Sequence, residues 1–166
     1  MASDDVPFFV PLDSLPGDEG HVTRADVIAE ARTWIGTPYK HQHRVKGHGV
    51  DCAGLLIGVA RELGLVAPDF DVNGYERKPD GFSLLQECDR FMDRIHIWDL
   101  QPGNVLVVAF RREPQHLGII GDYLYGGLSF IQALGTTDGK GAVVEWRLHE
   151  RRGWRHVQAY ALRGVV

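Results

Sequence analysis

The apolar pattern of this chain changes period once, at Gln101-Pro102-Gly103, and that change limits the folds open to it. Before it, apolar residues recur at three- and four-residue intervals, as in helices packed by one face. After it they fall in short blocks separated by turn residues, as in strands. Helices first and an antiparallel run of strands afterwards define an α+β domain.

The helical half has three segments. Thr23 is a good N-cap with Asp26 three residues on, and Ala25, Ile28, Ala29, Arg32 and Ile35 follow before Gly36-Thr37-Pro38 stops the helix. A second helix begins at or just after Asp51, carries Leu55, Leu56, Val59, Ala60 and Leu63 on one face, and ends at Gly64. A third starts near Phe82, with Leu84, Leu85, Cys88, Phe91, Met92 and Ile95 in one stripe. The strand half predicts five strands, over 104–110, 116–120, 128–134, 142–148 and 157–162. Pro114, Gly126-Gly127 and Asp138-Gly139 supply the turns. Residues 1–22 read as an extended arm, because the apolar run Val6 to Pro11 is flanked by prolines. Residues 23–166 read as one domain.

Composition narrows the function. A chain of 166 residues, 44% hydrophobic and 24% charged, is ordinary for a globular domain. The net charge of −4 argues against nucleic acid as a partner, and the one basic cluster (Arg147, Arg151, Arg152, Arg155) reads as a solvated face or the rim of a substrate site. No apolar run is long enough for membrane insertion. Two cysteines cannot build a disulfide framework. The start Met1-Ala2-Ser3-Asp4-Asp5 is acidic where a secretory signal is basic and then apolar, so the chain is expected to be cytoplasmic when made.

The chemistry gathers at Gly47-His48-Gly49-Val50-Asp51-Cys52-Ala53-Gly54. Cys52 stands at a helix start, where unpartnered N–H groups and the helix dipole favour thiolate over thiol. Cys88, in the middle of an apolar stripe, reads as core. A thiol nucleophile needs an imidazole to take its proton and a polar group to hold that imidazole. His116 opens one strand, and Gln132 sits on the next, 16 residues later, where the two can share a sheet face. Asp51 is a natural N-cap for the second helix. His41, His43 and His48 could instead join Cys52 in a zinc site, but their irregular spacing in a glycine loop favours exposed or groove-lining histidines.

Six segments in order carry a resemblance. They are Gly36-Thr37-Pro38-Tyr39, Asp51-Cys52-Ala53-Gly54-Leu55, Gln101-Pro102-Gly103-Asn104-Val105-Leu106, His116-Leu117-Gly118-Ile119, Phe130-Ile131-Gln132-Ala133 and Gly139-Lys140-Gly141-Ala142-Val143-Val144. Together they resemble the NlpC/P60 cysteine peptidases of bacterial cell walls, and most closely their phage and gene-transfer-agent branch, over about residues 24–163. The resemblance implies a papain-like α+β fold with the nucleophile helix packed on the sheet. It implies hydrolysis of a peptidoglycan stem peptide between γ-D-glutamate and a diamino acid, with no metal or cofactor. By position, Cys52 is the nucleophile, His116 the base and Gln132 the orienter, in a thiolate–imidazolium pair. Tyr39 lines the site and Asp51 helps to recognise a free amine on the substrate. Two positions depart from the pattern. Gln132 stands where His is commonest, and Ala53 replaces a Ser whose hydroxyl lies near the substrate amine. Without a signal sequence, delivery in a virion or release on lysis is the expected route to the wall. A phage tail or assembly component with a weakened or lost site is the alternative, with tail proteins as partners.

Overall fold

The computed structural model describes residues 20–76, 78, 80–110, 113–148 and 154–166. Most of the expected arm over 1–22 lies outside the described residues, as do Arg151 and Arg152 of the basic cluster.

The first helix, α1, spans Arg24–Arg32 and starts on a complete capping box: the Asp26 N–H donates to Thr23 Oγ1 at 3.2 Å and the Thr23 N–H to Asp26 Oδ2 at 2.8 Å. It ends before Ile35, because the N–H groups of Trp34, Ile35 and Thr37 turn back to carbonyls three residues earlier. The second helix, α2, spans Cys52–Glu62 with Asp51 as N-cap. A third, α3, spans Ser83–Phe91. α1 and α2 touch through a glycine. A Cβ on Gly58 would lie 2.3 Å from the Trp34 ring, so the close approach needs glycine there.

The strands are β1 (Arg44–Val45), β2 (Gly49–Val50), β3 (Met92–Ile95), β4 (Val105–Ala109), β5 (Pro114–Asp122), β6 (Leu128–Leu134), β7 (Ala142–Arg147) and β8 (Arg155–Leu162). β1 and β2 form a small hairpin inside the loop that precedes α2. The other six form one antiparallel sheet in the order β3-β8-β4-β5-β6-β7.

The sheet therefore has six strands where five were expected. Met92 and Ile95 fall on the helical stripe of α3, yet they pair with Leu162 and Ala159 of β8. Covering that open sheet edge outweighs a last helical turn. Ion pairs Arg94–Asp89 and Arg163–Asp93 flank the added strand.

Strand alternation gives the sheet two different faces. Leu117, Ile119 and Ile131 join Val27, Leu55 and Val59 in the core under the helices. Leu106, Val108, Ile120, Phe130 and Ala159 form a second cluster on the opposite face.

Candidate active site

Cys52 is the first residue of α2, and Asp51 holds the helix start in place. The Asp51 carboxylate accepts the Gly54 N–H at 2.8 Å and the Gln42 N–H at 2.6 Å. It also accepts the Tyr75 hydroxyl at 2.7 Å and Arg44 Nη1 at 3.2 Å. His41 Nδ1 stands 3.5 Å away. Arg44 continues outward to Asp71 Oδ1 at 2.9 Å and to the Val72 carbonyl at 2.8 Å. One buried carboxylate thus ties the loop before α2 and the connection after it to the nucleophile position.

Beside Cys52 opens a groove of about 480 Å³. Tyr39, His41, Asp51, Cys52 and Ala53 line one end, and Leu56, Phe70, Leu84 and Phe91 extend it between α2 and α3. Pro114, Gln115 and Leu117 of β5 form its sheet wall. The Tyr39 ring stacks on Gly135, where a Cβ would lie 3.0 Å from it. Tyr39 and His41 also border a second cleft with Lys40, His43, Thr136 and Thr137.

His116 and Gln132 meet as the strand positions suggested: imidazole Nε2 and Gln132 Oε1 are 2.8 Å apart, both residues buried. An amide oxygen can only accept, so Nε2 carries the proton and Nδ1 is left as the basic nitrogen. Residues 115 and 117 face the groove, and alternation turns His116 toward Phe110, Phe130 and Trp154. The thiol, for its part, lies against the backbone N–H of Leu117, one residue along. Among the described residues no hydrogen bond joins the thiol to the imidazole. The structure brings Tyr39, Asp51, Cys52 and Ala53 together, and His116 with Gln132, and the two groups adjoin at Leu117.

Both catalytic candidates rest uncharged. Burial, and then the charge of Asp51, push the Cys52 thiol up to about 11, against the pull of the N–H groups of Leu117, Ala53 and Cys52 itself. Burial pushes the His116 imidazole down to about 4, although Gln132 and Asp51 favour its charged form. Burial thus favours a thiol and a neutral imidazole in the free protein, against the direction expected for a thiolate–imidazolium pair. The helix start does act on the sulfur in the expected direction, but loss of solvent outweighs it. Cys88 is buried and pushed up to about 12, chiefly by burial.

The loop histidines do not gather on Cys52. His43 and His48 use ring nitrogens on carbonyls of their own loop, those of His41 and Lys46. Among the described residues no group of three His, Cys, Asp or Glu side chains is placed to hold a metal ion. Arg44 and Tyr75 are the site residues that the sequence did not reveal. Arg44 lies in the two-residue strand β1, too short to show a period, and Tyr75 in an irregular segment; only the nearness of Arg44 to Asp51 along the chain hints at a partner.

No family model matches the sequence, and neither does any curated protein. Solved structures do resemble it. The NlpC/p60 domain of the peptidoglycan hydrolase SagA matches at 22% identity and a TM-score of 0.57, over 85% of this chain and all of that domain. NlpC1 from Trichomonas vaginalis matches at 18% identity and a TM-score of 0.58, over 87% of this chain but 46% of its own length. An N-acetylmuramoyl-L-alanine amidase from Bacteroides uniformis matches at 12% identity and a TM-score of 0.52, over 84% of this chain and 98% of its own. These likenesses define the class: the chain is an α+β protein of papain-like architecture. In particular it has the NlpC/P60 fold, with the helix that begins at Cys52 laid on an antiparallel sheet.

Proposed function

We propose that this protein is a thiol-dependent peptidoglycan hydrolase that cuts a stem peptide at a γ-D-glutamyl–diamino acid bond. One observation carries the reading: a cysteine at the first position of a capped helix, in an NlpC/P60 fold, opens on a groove next to the strand that bears a buried, amide-held histidine. The names of SagA and of the Bacteroides uniformis amidase support peptidoglycan as the substrate.

Cys52 is the nucleophile, His116 the base and Gln132 the orienter. The sulfur lies against the N–H of Leu117, the residue next to His116, and the imidazole must leave its ring contacts with Phe110, Phe130 and Trp154 to take the thiol proton. The thiol proton passes to His116 Nδ1 as sulfur attacks the carbonyl carbon, which answers the neutral resting state. The backbone N–H of Cys52 and the Tyr39 hydroxyl are the donors for the oxyanion. The C–N bond breaks and the leaving amine takes the proton from His116. Water then releases the acyl group and restores the thiol. Tyr39 and Ala53 border the bound peptide. The Gly36-Thr37-Pro38-Tyr39 element and the loop that follows it favour a phage or gene-transfer-agent setting, with delivery in a particle or release on lysis.

Digestion of purified peptidoglycan, with muropeptides read by mass spectrometry, tests the reading. Wild type should release fragments ending in γ-D-glutamate, and Cys52→Ala and His116→Ala should release none. Full activity in either variant would refute the assignment. The neutral resting pair, with no hydrogen bond between thiol and imidazole, favours a second reading: a phage tail or assembly component with a weak or lost site. Wild type that releases no muropeptide would support it.

A further inference from the structure

We infer that the Asp51 end of the groove takes stem peptides whose amino terminus is blocked, as when the peptide hangs by an amide from its glycan strand. It gives no advantage to a free terminal ammonium. The inference rests on the stem-peptide reading above and concerns which form of that substrate is used.

A carboxylate that binds a substrate ammonium needs a free lone pair facing the groove and a local negative potential. Asp51 has neither. Oδ1 accepts from Gly54 N–H at 2.8 Å and from Arg44 Nη1 at 3.2 Å. Oδ2 accepts from Gln42 N–H at 2.6 Å and from the Tyr75 hydroxyl at 2.7 Å. The residue is 1% exposed. The Arg44 guanidinium, its side chain 7% exposed, already supplies the opposing charge and cannot lose its proton in a protein. An arriving ammonium would have to displace the Tyr75 hydroxyl and stand beside that guanidinium. Two like charges in a poorly solvated place repel strongly. Ala53, which borders the same end of the groove, offers a methyl group and no acceptor.

The other carboxylates along the groove do not replace Asp51. Asp80 accepts the N–H groups of Phe82 and Ser83, and Glu87 pairs with Arg90. Glu76 is exposed at the rim, where water and salt screen its charge. A neutral capped amide meets no repulsion at this end and continues onto the apolar wall at Leu56.

The test compares two substrates on the wild-type protein: L-alanyl-γ-D-glutamyl-diaminopimelate with a free amino terminus, and the same peptide N-acetylated. Lysine versions serve if the diaminopimelate peptides are inert. The acetylated peptide should be cut with a kcat/KM equal to or above that of the free peptide. A tenfold or greater loss on acetylation would overturn the inference and leave the hydrolase reading standing. If none of these peptides and no intact wall is cut, the hydrolase reading itself falls, and this inference with it. Arg44→Gln gives a second measure. In folded protein, verified by its melting temperature, kcat/KM should shift at least tenfold toward the free-amine peptide. An unchanged ratio would overturn the role given to the guanidinium.

Discussion

Lowering the pH should cost this protein stability through one side chain, His116. In the folded protein its imidazole titrates near 4, against 6.5 for an unperturbed histidine, because burial removes water from the charged form. The unfolded chain therefore takes up a proton below pH 6.5 that the folded chain refuses until about pH 4. Stability is full above 6.5 and is lost as pH falls between these values. The gap of 2.5 units, at about 1.4 kcal/mol per unit, amounts to about 3 kcal/mol by pH 4. Other groups titrate in the same range, so the measurement is a difference. Urea unfolding of wild type and of His116→Gln should be compared at pH 7, 6, 5 and 4. The stability of wild type relative to the variant should fall by about 3 kcal/mol over that span. A constant difference would show that His116 is not buried as a neutral base. A rising difference would mean that the fold holds it as imidazolium.

Iodoacetamide should label folded Cys52 about 100-fold more slowly at pH 7 than a free cysteine, since its thiol is pushed from 9.0 to about 11. Labelling at the free-cysteine rate, read by peptide mass mapping, would instead indicate a thiolate. Arg44→Ala should destabilise the protein by about 3–5 kcal/mol in urea unfolding, because it strips a buried carboxylate of its charged partner. A loss under 1 kcal/mol would mean that Asp51 is satisfied without it. Gly58→Ala should cost about 1–3 kcal/mol, as its Cβ would meet the Trp34 ring at 2.3 Å. Gly58→Ala combined with Trp34→Leu should recover part of that loss if the clash is the cause.

What could be read in advance follows from how local each signal is. The caps at Thr23 and Asp51 are three-residue patterns, and both are present as read. The His116–Gln132 meeting depended on register but not on its details. With Ile119 opposite Ile131, residue 134 stands opposite His116 (119 + 131 − 116), and Gln132 reaches it on the diagonal of the same face. β3 was hidden because Met92 and Ile95 suit a helix stripe equally well, and their partners on β8 lie about seventy residues away. Arg44 reaches Asp51 from the two-residue strand β1 and Tyr75 from an irregular segment, neither long enough to show a period that marks a buried side chain. The charge state of the thiol was the least legible feature. The helix start is written in the sequence, but the burial that outweighs it arises only when β5 closes against α2.

The proposed hydrolysis passes through a covalent acyl intermediate between Cys52 and the stem peptide. Rapid acid quench of wild type during turnover of a γ-D-glutamyl-diaminopimelate peptide, followed by intact-mass and peptide-mass measurement, tests it most directly. An adduct with the mass of the acyl fragment is expected on the peptide containing Cys52, and none in Cys52→Ala. Turnover without an adduct, and undiminished in Cys52→Ala, would contradict it.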